Sequence, residues 1–134
     1  MNLNNSTTTH ILVVDDEYIS NLIVTKYLDD CGEQVSYTVK NDGKQALDYL
    51  LECSPEGLPD YVFLDLRMPV MDGFEFLRNY AERFENNLKT RIYILTSSIN
   101  QRDMDEARTF DCLSGYIQKP MNPLMLKDII FQKA

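Results

Sequence analysis

No long apolar run, no cysteine pairing pattern and no surplus of positive charge occur in this chain, and each absence removes a class of function. A membrane helix needs roughly eighteen or more consecutive apolar residues, and no such stretch is present. Met1 to Thr9 is rich in Asn and Thr, without the apolar centre of a secretory leader, so neither export nor a membrane partner is expected. The three cysteines, Cys31, Cys53 and Cys112, are odd in number and widely spaced, with no Cys-x-x-Cys or Cys/His pattern. Free thiols in a reducing, cytoplasmic compartment follow, and zinc does not. Thirteen basic side chains face 21 acidic ones, a formal charge of −8, so the surrounding field repels phosphate backbones and anionic membranes and nucleic acid is not an expected partner. With five Gly and five Pro the chain is not of low complexity. What remains is 44% apolar and 25% charged over 134 residues, enough for one core.

The apolar residues fall into short β-rich runs alternating with helix-periodic stretches, the signature of parallel strands joined by crossover helices. Ile11 to Val14 is continuous and β-branched, a central strand that ends in Asp15-Asp16. The helix after it carries Ile19, Leu22, Ile23 and Tyr27 on one stripe, expected to be buried, and stops at Gly32. A second strand is expected over Gln34 to Val39, then a helix burying Ala46, Leu47, Leu50 and Leu51. Tyr61 to Asp65 is the third strand, and a helix from about Asp72 presents Phe74, Leu77, Tyr80, Ala81 and Phe84. Ile92 to Thr96, a short acidic helix near Gln101 to Phe110, the run Gly115 to Gln118 and a helix with Leu126, Ile129 and Ile130 complete five strand and helix pairs.

Right-handed crossovers leave few ways to wind five parallel strands, and the commonest compact order is 2-1-3-4-5 with helices on both faces, a flavodoxin-like doubly wound α/β fold. Its ligand crevice lies beyond the carboxyl ends of the first and third strands. Asp15 and Asp16 close the first of these and Asp65 the other, so three carboxylates converge on one edge of the sheet. Such a group repels itself unless a hard cation is held there, and Mg²⁺ takes one or two carboxylates while keeping sites for water and phosphate oxygen.

Taken singly, Asp15-Asp16 can be a helix cap, Asp65 a turn former, and Lys119-Pro120 an ordinary strand exit. Taken together with Thr96, they all stand at strand ends in one crevice. The set Asp15-Asp16, Asp65-Leu66-Arg67-Met68-Pro69 with Asp72-Gly73, Thr96 and Lys119-Pro120 resembles the receiver domain of bacterial response regulators, from about Ile11 to the C-terminus. The resemblance implies a receiver domain over 10–134 behind a flexible segment over 1–9. It further implies that Asp65 accepts a phosphoryl group, that Asp15, Asp16 and Asp65 bind Mg²⁺ with the backbone carbonyl of Arg67, and that the Lys119-Pro120 bond is cis. Phosphoryl transfer depends chiefly on alignment and charge neutralisation, for which Lys119 supplies a point charge and Thr96 a hydroxyl donor. By the same resemblance Tyr116 turns inward as Thr96 moves toward the phosphoryl group, remodelling the face of the fourth helix, fifth strand and last helix; without the resemblance Tyr116 reads as a core tyrosine.

The chain stops about one helix past Lys119, so a stand-alone receiver acting by contact is expected rather than an enzyme. Its donor would be a sensor histidine kinase or a histidine phosphotransfer protein, and its downstream protein target is unspecified. His10, the only histidine, enters the first strand and is not a donor. Three rival readings compete with this one. A haloacid-dehalogenase-like phosphatase needs a second acid two residues after the nucleophile, where Arg67 stands. FMN binding needs a hydroxyl- and glycine-rich loop where Asp15-Asp16-Glu17 stands. A receiver-like scaffold that works without phosphorylation is opposed by the filled set of site residues.

Overall fold

The structure, a computed structural model, describes residues 8–131. Five strands, β1 (Thr9–Val14), β2 (Val35–Lys40), β3 (Tyr61–Leu64), β4 (Arg91–Thr96) and β5 (Leu113–Gln118), form one parallel sheet in the order β2-β1-β3-β4-β5. Between and after them run α1 (Tyr18–Asp29), α2 (Gly43–Glu52), α3 (Gly73–Arg83), α4 (Gln101–Ala107) and α5 (Pro123–Ile130). The expected winding is the observed one. The proposed tail over 1–9 falls largely on residues 1–7, outside the described residues, while Thr9 already pairs with Val35 in β1.

Alternation along the central strands divides the core in two. Leu12, Val14, Val62, Leu64, Ile92 and Ile94 face α2, α3 and α4, where Leu47, Leu50, Phe76, Leu77 and Ala107 meet them. Ile11, Val13, Phe63 and Leu95 face α1 and α5 through Val24, Leu28, Leu126 and Ile130. Each fully buried side chain such as Phe76 or Leu28 contributes about 1.5–3 kcal/mol of burial.

Several expected helix faces are corrected. On α1 the residues turned to the sheet are Val24 and Leu28, while Ile19, Leu22 and Ile23 are exposed and Tyr27 only partly covered. The helix carries two apolar stripes, and periodicity cannot say which one the sheet takes. Leu51 and Ala81 are likewise exposed, and Phe76, absent from the expected stripe of α3, is fully buried. α4 ends at Ala107, three residues early, in turns closed by the Thr109 and Phe110 amides. β5 begins two residues before the expected Gly115 because its pairing with β4 shifts register between Ile92 and Tyr93.

Caps position the helices near the crevice. Asp72 and Glu75 form a reciprocal capping box at the start of α3, and Asn122 accepts from the Leu124 and Met125 amides at the start of α5. Gly73 must be glycine, since a Cβ there would lie 2.5 Å from the Asp65 carbonyl oxygen. The Gly73 amide instead donates to the Leu66 carbonyl at 3.0 Å, drawing α3 against the end of β3.

Candidate functional site

The ladder carries Asp65 one residue past β3, where its amide donates to the Val14 carbonyl at 2.9 Å and sets it beside Asp15, the residue after β1. Both side chains are buried. Asp15 is held by the Glu17 amide and the Ser20 hydroxyl, each at 2.9 Å, and Asp65 Oδ1 accepts from the Leu66 amide at 2.8 Å.

Lys119 follows β5 and hangs from the Thr96 carbonyl by its amide at 2.8 Å. Its Nζ lies 2.8 Å from Asp15 Oδ2, 2.6 Å from Glu17 Oε1 and 3.2 Å from Asp65 Oδ2. The Lys119-Pro120 bond is cis, as expected. Burial pulls the lysine pKa down, yet its hydrogen bonds to Asp15 and Glu17 and the charge of Asp65 outweigh it and raise the pKa well above the usual lysine value. Burial, then the charge of Asp15, pushes the Asp65 carboxyl upward, against the pull of Lys119, Thr96 and the Leu66 amide.

Not every expected residue joins this cluster. Carboxylate oxygens of Asp15, Glu17 and Asp65 lie within 4.8 Å of one another, so the third acid among the described residues is Glu17. Asp16 is exposed and lines the same recess of about 410 Å³ with Asp65, Arg67, Thr96 and Ser98. The adjacency of Glu17 to Asp15-Asp16 was the available signal, although sequence cannot say which of three consecutive acids turns inward. An all-oxygen, carboxylate-rich donor set of this spread fits a hard divalent cation.

Thr96 is buried at the recess, and its Oγ1 accepts from the Ser98 amide at 3.3 Å. The Tyr116 hydroxyl donates to the Ser98 carbonyl at 3.0 Å, tying β5 to the segment that follows Thr96. Arg67 turns its side chain away from the acids, with Nη2 2.8 and 2.6 Å from the carboxylate oxygens of Asp103 on α4. Asp103 also accepts from Ser98 Oγ at 2.7 Å. Sequence reasoning missed Asp103 because nothing local distinguishes it from the other acids of α4.

The chain and its fold have known counterparts. Residues 11–131 match the family model described as the response regulator receiver domain. The probable methanogenesis regulatory protein FilR2 of Methanothrix harundinacea is 32% identical over 114 residues, which cover 84% of this chain and 72% of that protein. Hybrid signal transduction histidine kinase L of Dictyostelium discoideum is 33% identical over 90% of this chain, but the chain spans only 7% of that kinase's length. Among solved structures, the chemotaxis response regulator CheY4 of Vibrio cholerae is 27% identical with a TM-score of 0.75, covering 92% of this chain and 96% of that one. The phosphorylated cyanobacterial phytochrome response regulator RcpA shares the fold at a TM-score of 0.80 and 21% identity, over 96% of this chain and 97% of that one.

Proposed function

The chain belongs to the response regulator receiver domain family, and on that footing we propose that Asp65 is its phosphoacceptor, loaded from a phosphohistidine on a sensor histidine kinase or histidine phosphotransfer protein. The observation that carries this is the approach of Lys119 Nζ to 3.2 Å from Asp65 Oδ2, a carboxylate that itself lines an open recess with Asp16, Arg67 and Thr96. The ammonium would neutralise the incoming phosphoryl oxygens, and the Thr96 hydroxyl would donate to one of them. Mg²⁺ would be held by Asp15, Asp16, Asp65 and the Arg67 carbonyl, with Glu17 at hand. Bound there, it would offset the charge of the phosphoryl group. Transfer leaves an acyl phosphate on Asp65 and returns the donor histidine as neutral imidazole. Switching would follow through Thr96 and Tyr116 to the face of α4, β5 and α5, which would present itself to a downstream protein.

Next to the site, α1 offers the donor a docking surface. A mainly apolar recess of about 350 Å³ is bounded by Tyr18, Ile19 and Ile23 on one side and by Lys119, Pro120 and Met121 on the other. It is continuous with the phosphoacceptor cluster through Glu17 and Lys119. An amphipathic helical surface carrying a phosphohistidine can cover it and deliver the phosphoryl group in one approach. Among the described residues no helix is long and apolar enough to cross a membrane, and the three free cysteines suit the reducing cytoplasm.

The test is incubation with acetyl phosphate and Mg²⁺, read by intact mass. The expected result is one added phosphoryl group, lost in Asp65→Asn. Labelling that persists in the variant would refute the assignment, and an unlabelled wild type would favour the phosphorylation-independent scaffold.

A further inference from the structure

Arg67 stands two residues beyond Asp65 and borders the same recess, but its guanidinium is turned onto Asp103. The two partners differ in burial, with Arg67 63% and Asp103 8% exposed at the side chain. Asp103 sits in the first turn of α4, a helix of seven residues whose buried members are Asp103 and Ala107. The ion pair from α3 to α4, Arg78 with Glu106 at 3.5 Å, is exposed on both sides and adds little. The first turn of α4 is thus held in part by a buried carboxylate whose guanidinium partner also lines the recess beside Asp65. Ser98 closes the circuit, since its hydroxyl donates to Asp103, its amide to Thr96 Oγ1, and its carbonyl accepts from Tyr116.

Resting on the phosphoacceptor reading above, we propose that Asp103 is a positioning residue that holds Arg67 in reserve as a further cation for the phosphoryl group, and that phosphorylation unclasps α4 by drawing Arg67 away. A guanidinium gives two parallel hydrogen bonds to phosphate as readily as to a carboxylate, and the phosphoryl group carries more charge. Once Arg67 leaves, Asp103 is a buried carboxylate without its cation, an arrangement that favours displacement of the first turn of α4 toward water. Phosphoryl binding and anchoring of α4 thus compete for a single side chain, and the competition is reciprocal.

The experiment is a double-mutant cycle on the intact chain, reading the affinity for beryllium fluoride in the presence of Mg²⁺ by calorimetry. Asp103→Asn keeps the size and the Ser98 contact but weakens the hold on Arg67, so beryllium fluoride should bind about threefold tighter or more, the range of coupling between groups that share a partner. With Arg67→Met as background the gain should vanish, and Arg67→Gln serves as a second uncharged background should the first not fold. An equal gain with and without Arg67, or no gain in either, would overturn the proposal. Amide exchange gives a second reading. The Met104 amide, which donates to the Asn100 carbonyl at 3.2 Å, should exchange faster once beryllium fluoride is bound, and unchanged or slower exchange would count against release of α4. A wild type that binds no beryllium fluoride would fell the phosphoacceptor reading and the clasp together, whereas normal binding without coupling would fell the clasp alone.

Discussion

Lys119 faces three carboxylates, and its removal leaves Asp15 and Asp65 buried side by side without a cation. Lys119→Met should destabilise the metal-free protein by about 3 kcal/mol, the cost of stranding buried charge. Added Mg²⁺ should restore part of that loss if the acids hold a cation, and thermal unfolding with and without a chelator checks both points. His10 offers a pH test away from these acids. Its ring bonds Ser36 Oγ at 2.8 Å through Nδ1 and the Tyr49 hydroxyl at 2.9 Å through Nε2, and burial lowers its pKa from 6.5 despite the charge of Asp60. The unfolded chain therefore binds this proton at higher pH than the folded one. Stability should fall as pH drops from 6.5 through the lowered folded-state value and level off below it. His10→Gln should flatten that part of a plot of melting temperature against pH, and an unaltered slope would place the dependence elsewhere. Asp65, Thr96 and Lys119 were legible as residues because the first two close predicted strands and the third directly follows one. Glu17 and Asp103 were not, since only the course of the chain in space turns one acid inward among several.

At the scale of elements, the loop between β3 and α3 carries a strained turn. Val70 has φ of 68° at the centre of a three-residue turn closed by the Met71 amide on the Pro69 carbonyl at 2.7 Å. A β-branched side chain in that region costs about 1 kcal/mol or more, and its side chain is exposed and adds no core contact. Val70→Gly should raise the melting temperature, and Val70→Ile should not. The neighbouring Gly73 behaves oppositely. Gly73→Ala would drive a Cβ into the Asp65 carbonyl and the Leu66 backbone, so it should lower stability by about 1–3 kcal/mol and slow labelling of Asp65 through the displaced loop. Element type and order could be read from the sequence because strand runs and helix periods are local. The buried face of α1 could not, because Ile19, Leu22 and Ile23 form as good a stripe as the Val24 and Leu28 pair that the sheet covers.

For the molecule as a whole, winding at the β1 and β3 boundary gathers the strand-end acids, and the apolar side of α1 left uncovered borders the same place. Tyr18→Ser combined with Ile19→Ser removes two largely exposed groups that line this recess, so the melting temperature should change little. Phosphoryl transfer from a phosphohistidine protein should nevertheless drop by about tenfold or more, as for loss of central contacts in an interface, with acetyl phosphate labelling as the control for an intact site. Equal transfer by the double variant would show that the donor docks elsewhere. The sequence by itself determined the five strand and helix pairs, their winding, and the meeting of Asp15, Asp65, Thr96 and Lys119, because short-range periodicity and the handedness of crossovers leave little freedom. Only the tertiary structure decided which apolar stripe of α1 is buried, that Glu17 rather than Asp16 closes on Lys119, and that Arg67 is clasped by Asp103. These depend on side-chain directions across elements far apart in the chain, which no local pattern encodes.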